Sequence, residues 1–100
     1  MKLVVLMCAE EFSEEAHKML NEVKVPAYSE TEINGYKLVE DNESDNWFAG
    51  KHAMENSRLI FSMCEDKKAE ELMEAIKKCK INKKNDHVYA FKLNLEKFIA

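Results

Sequence analysis

The segment VVLMCAEE at residues 4–11 returns in altered form as IFSMCEDK at residues 60–67. Each copy is a short, continuous apolar run that ends in acidic residues, where a helix can begin. The echo divides the chain into two strand-helix-strand units. Two such units in 100 residues specify an α+β, ferredoxin-like βαββαβ sandwich. The expected sheet is antiparallel, with two helices on one face and a long loop between strands two and three. Strands one and three are expected as its central neighbours, running parallel. Residues 1–100 form a single domain, since a chain of this length builds one core.

Local signals place the elements. Lys2 to Ala9 reads as a buried strand. Ser13 stands where an N-cap is expected, with Glu14 and Glu15 in the first turn, and Phe12, Ala16, Met19, Leu20 and Val23 form one helical stripe. Pro26 closes this helix. Residues 27–34 alternate enough for a strand that reaches Gly35, and a loop of about 37–57 follows. Residues 58–65 read as the third strand. Asp66 then caps a helix whose stripe is Ala69, Leu72, Met73, Ile76 and Cys79. A last strand at 87–93 precedes Leu95, Phe98 and Ile99, which are expected to dock.

Strand pattern raises a packing problem. If Leu3, Val5, Met7, Leu59, Phe61 and Met63 face the helices, then Val4, Leu6, Cys8, Ile60, Ser62 and Cys64 line the other face. A surface of Val, Leu, Ile and Cys should not meet water, so other copies of the chain are expected to cover it, with a closed ring such as a homotrimer the natural solution.

Charge narrows the partners. Fifteen basic against nineteen acidic side chains give a net charge of -4, and no basic block runs along any element, which argues against nucleic acid. Lys77, Lys78, Lys80, Lys83 and Lys84 cluster at a helix end, where cations oppose the helix dipole. The apolar run at 3–9 is too short to span a membrane, so direct insertion is not expected. Three cysteines without C-x-x-C spacing point to a reducing compartment and a cytoplasmic protein.

The stretch VPAYSETEINGY at residues 25–36 resembles the PII signalling family, in which T-x-E-V-x-G-[FY]-G leads into an effector loop, the T-loop. Thr31, Glu32, Ile33, Gly35 and Tyr36 match that pattern, and Lys37 departs from it. The resemblance implies a trimer of ferredoxin-like subunits. It also implies a small ligand at the subunit clefts and a loop, here about 37–57, that contacts a protein target such as a membrane transporter or an enzyme. Trp47, Phe48, Lys51 and His52 are the expected partner-contact residues, aromatic side chains being frequent interface anchors. Gly35, Tyr36, Lys37, Lys83, Lys84 and Asp86 are the expected ligand-binding positions. A nucleotide is one candidate ligand. The family's Gly-rich phosphate stretch is absent, however, since residues 81–86 read INKKND without a glycine.

Cys8 and Cys64 sit on strands expected to be parallel neighbours, where thiolates close together would bind a soft metal, in the manner of metal-responsive CutA-like or efflux-associated trimers. Inert packing is the simpler reading of a buried cysteine. Asp41, Glu43 and Asp45 alternate as in a calcium loop, but Asn46 and His52 occupy positions where that loop needs Gly and Glu. His17, His52 and His87 have no ligand spacing, and Met7, Met19, Met63 and Met73 fall at core spacing. No nucleophile, base and orienting group can be assembled, so catalysis is not expected.

Overall fold

A computed structural model describes residues 1–38, 52–83 and 88–99. The strands are β1 (Lys2–Ala9), β2 (Ser29–Leu38), β3 (His52–Cys64) and β4 (Val88–Asn94), and the helices are α1 (Ser13–Val23) and α2 (Asp66–Lys83). The four strands form one sheet in the order β2-β3-β1-β4, and every pairing is antiparallel. The βαββαβ sandwich is therefore the fold. Strands β1 and β3 are central neighbours as expected, but they run antiparallel. Each βαβ unit is split by a strand of the other: β3 lies between β1 and β2, so the crossover partners are parallel without touching.

Two apolar stripes hold the helices to the sheet. Ala16 and Leu20 of α1 and Ala69, Leu72 and Ile76 of α2 are buried with Val4, Leu6, Cys8, Ile60 and Cys64, and Phe12, Met19, Val23 and Met73 pack against that cluster. The helix-facing side of the central strands is thus the side expected to be open. Both faces of β1 are apolar, so alternation by twos cannot choose between them. The packed structure chooses: Val4, Leu6, Cys8, Ile60, Ser62 and Cys64 lie beneath the helices, and the bulky Phe61, Met63, Tyr89, Phe91 and Leu93 lie on the other face, 37–56% exposed. Met7 and Met63 accordingly leave the core, and the apolar uncovered face persists with different occupants.

Four boundaries differ from the sequence reading. A 3₁₀ turn (Glu10–Phe12) precedes α1, so Ser13 is the first helical residue, its backbone N–H donating to the Glu10 carbonyl, and the N-cap position falls to Phe12. The C-terminus of α1 is closed by Lys24 in the left-handed conformation (φ 63°), whose N–H donates to Asn21, while Lys68 of α2 donates to the carbonyl of Val23. At the other end, α2 extends to Lys83, absorbing a residue expected in a turn. Pairing of β2 with β3 also runs on to Leu38 opposite His52, so strand takes the outer residues of the expected 37–57 loop.

Candidate functional site

The β2-β3 pair outlasts the rest of the sheet. The last β1-β3 partners are Ala9 and Ser57, yet β2 and β3 continue through Gly35-Glu55, Tyr36-Met54 and Lys37-Ala53. Beyond β1 they form a two-stranded ribbon. Where the ribbon leaves the sheet lies a cleft of about 600 Å³, lined by Met7, Ile33, Gly35, Tyr36, Lys37, Met54, Glu55, Ser57 and Tyr89, among others. The volume suits a small organic ligand.

Its chemistry follows from strand alternation. Met7 and Tyr89 are register partners on the uncovered face. Ile33, Gly35 and Lys37 project to that same face from β2, as do Glu55 and Ser57 from β3. The result is an apolar and aromatic wall with one ammonium, one carboxylate, the Ser57 hydroxyl and tyrosine phenols. Gly35 admits the Ser57 side chain: a Cβ on Gly35 would stand 3.3 Å from Ser57 Oγ, and that hydroxyl donates to the Glu55 carbonyl at 3.3 Å. A side chain at 35 would crowd this hydroxyl and narrow the cleft.

Of the expected ligand residues, the cleft gathers Gly35, Tyr36 and Lys37. Lys83 ends α2. Lys84 and Asp86 lie outside the described residues, as do the expected partner contacts Trp47, Phe48 and Lys51. His52 opens β3 opposite Leu38. Met7, Glu55 and Tyr89 join the cleft without being among the expected ligand residues, because the sequence pattern places Met7 in the core, Glu55 in the loop and Tyr89 within a strand. Once β1 and β4 are placed in register, alternation identifies Met7 and Tyr89.

A second polar group lies on the helix-facing side of the same strands. Arg58 reaches Glu10 at 3.1 Å, Glu32 at 3.2 Å and Glu30 at 3.7 Å, and His17 Nε2 lies 2.6 Å from Glu30. The hydrogen bond to Glu10 contributes most to holding the guanidinium protonated. His17 also stacks on Tyr28, with ring centroids 6.1 Å apart. This network ties the 3₁₀ turn, α1, β2 and β3 together where the ribbon starts.

Cys8 and Cys64 are not neighbours. In the antiparallel register Cys8 faces Arg58, whereas Cys64 faces Lys2. Six positions along β3 separate them, roughly 20 Å at about 3.3 Å per residue. A site shared by these two cysteines within one chain is excluded by that register. Burial raises the pKa of the Cys8 thiol, with Glu30 adding to the shift, so the neutral form is favoured.

An antiparallel sheet of this order with both helices on one face defines a ferredoxin-like α+β protein, and within that class the fold is that of PII-like proteins and CutA1. CPII, a nitrogen regulatory PII-like protein from Thiomonas intermedia K12, superposes with a TM-score of 0.62 at 16% identity over 98% of this chain and 94% of its own. CutA1 from Pyrococcus horikoshii gives 0.66 at 16% identity over 99% and 87%. A DUF3240 family protein from Shewanella baltica OS155 gives 0.59 at 11% over 99% and 93%. No family model and no curated protein matches the sequence. Among the described residues, no helix is long and apolar enough to cross a membrane.

Proposed function

We propose that this chain is a PII-like regulatory protein, a sensor and not a catalyst, that binds a small ligand in the cleft at the ribbon base and contacts a partner protein through the segment between β2 and β3. The observation that carries this reading is the convergence of Gly35, Tyr36 and Lys37 in a cleft formed by the two strands leading to residues 39–51. A ligand that favours one ribbon geometry over another shifts the population presented to the partner, by the difference in its affinity for the two. Trp47, Phe48, Lys51 and His52 are the proposed partner contacts.

Assembly belongs to the same reading. The uncovered face carries Phe61, Met63, Tyr89, Phe91 and Leu93, an apolar patch that a homotrimer would bury while supplying a second wall to each cleft. CPII is described as bound to ADP, AMP and bicarbonate, and those three compounds are the first ligands to try.

Thermal-shift measurements with ADP, AMP and bicarbonate test the proposal, because a ligand that binds only the folded form stabilises by about 2.7 kcal/mol at 100 times its Kd. The expected outcome is a rise in Tm for the parent that is lost in Tyr36→Ala and Lys37→Ala. A rise that both variants retain would place the ligand elsewhere. Deleting residues 40–51 is expected to preserve assembly and abolish partner capture.

A further inference from the structure

The last β1 partner of β3 is Ala9, opposite Ser57, so beyond it, among the described residues, the β2-β3 ribbon has no third strand beside it. A two-stranded ribbon is marginal by itself, and its angle to the sheet is set where it is rooted. At that root Arg58 of β3 stands in one row with Cys8 of β1 and Glu32 of β2. Its Nη2 donates to Glu10 at 3.1 Å and lies 3.2 Å from Glu32, and its Nη1 lies 3.7 Å from Glu30. We infer that Arg58 is the positioning residue of the ligand cleft: its grip on Glu10 and on both β2 carboxylates fixes the ribbon against the sheet and so holds the cleft on the opposite face in its binding shape. This rests on the reading of that cleft as the ligand site.

Clamp and cleft lie back to back. Ile33 and Ser57, which line the cleft, are register partners and the chain neighbours of Glu32 and Arg58. Alternation sends the first pair to the uncovered face and the second to the helix-facing one, so a tilt of the ribbon that moves one pair moves the other. Glu10 belongs to the 3₁₀ turn that leaves β1, whereas Glu30 and Glu32 belong to the ribbon's own strand. Arg58 therefore bridges the body of the domain and the element that projects from it. His17 of α1 secures Glu30 on the same side at 2.6 Å.

Arginine suits this place and lysine does not. Three carboxylates crowd one cation, and a planar fork meets them through two separate nitrogens where an ammonium offers a single point. Arg58 Nε is buried and makes no hydrogen bond, so the hold runs through the two terminal nitrogens. Without the guanidinium, Glu10, Glu30 and Glu32 repel one another across the joint. Exposed ion pairs add little to global stability, and the effect of this one falls on the ribbon's orientation.

Hydrogen exchange read by mass spectrometry, with ligand titration beside it, tests the clamp. In Arg58→Met, amides of residues 33–37 and 53–57 are expected to exchange at least about threefold faster than in the parent, while those of β1 and β4 change little. Glu10→Ala is expected to act in the same direction more weakly, the double variant to exchange no faster than Arg58→Met, and Arg58→Lys to recover only part of the protection. Lys68→Met, which removes a comparably exposed ion pair at the start of α2, is expected to leave the ribbon unchanged. Where the parent binds AMP, Arg58→Met is expected to bind it at least about threefold more weakly. Circular dichroism checks folding, and Glu10→Ala, at an exposed side chain, decides should Arg58→Met unfold. Ribbon exchange unchanged in the folded variants, or AMP affinity undiminished in a loosened ribbon, would overturn the inference. A parent that binds none of ADP, AMP and bicarbonate would count against the proposed function alone, and the exchange comparison would then decide the clamp by itself.

Discussion

Both faces of the sheet carry large apolar side chains, and they do different work. Beneath the helices the strands present Val4, Leu6, Cys8, Ile60, Ser62 and Cys64, all less than 5% exposed. On the other face Phe61, Met63, Tyr89, Phe91 and Leu93 are bulky and accessible. Hydrophobicity alone does not separate a core from a docking surface. The uncovered face differs in its aromatic and methionine side chains, which suit contact with another molecule.

This contrast can be broken most forcefully from the helix side. Leu72→Ala or Leu20→Ala removes a fully buried side chain, and a loss of about 2–5 kcal/mol is expected from urea unfolding. The matched change on the uncovered face, Phe61→Ser with Phe91→Ser, is expected to cost much less stability in dilute protein. It should instead shift the sedimentation profile toward single chains. Equal destabilisation from both pairs, with sedimentation unchanged, would erase the distinction. At the cleft, Gly35→Val crowds Ser57 Oγ and is expected to weaken ligand binding with a minor stability change, as ligand titration of the folded variant would read.

The smallest effects lie at exposed charges. Lys68, through its hydrogen bond and its charge, holds the Glu71 carboxyl below its ordinary pKa. A lowered folded pKa stabilises above the unfolded value, and that contribution is lost as pH falls through the folded one. Glu71→Gln is therefore expected to trim stability slightly at neutral pH and to flatten a small part of the acid-side decline. Tm measured from pH 7 down to pH 3 checks both.

Much of the fold was legible because the signals are local. Residues 2–9 carry their strand as a continuous apolar run, and Ala16, Leu20, Ala69, Leu72 and Ile76 mark their helical stripes by spacing alone. In the candidate site, Gly35, Tyr36 and Lys37 were legible through the motif at the end of β2. Met7 and Tyr89 were not, since they come from strands about eighty positions apart and meet only through the β1-β4 register. The Arg58 network was hidden for the same reason: Glu10, Glu30 and Glu32 converge on it from separate elements.

By itself the sequence determined the number, type and order of the elements, because capping, periodicity and turn chemistry act over a few residues. Tertiary structure alone decided which apolar face the helices cover, that β1 and β3 run antiparallel, and that Cys8 faces Arg58 instead of meeting Cys64. Those outcomes depend on register and on the volume available between layers. Both are properties of distant segments packed together, and neither is written in any one stretch of the chain.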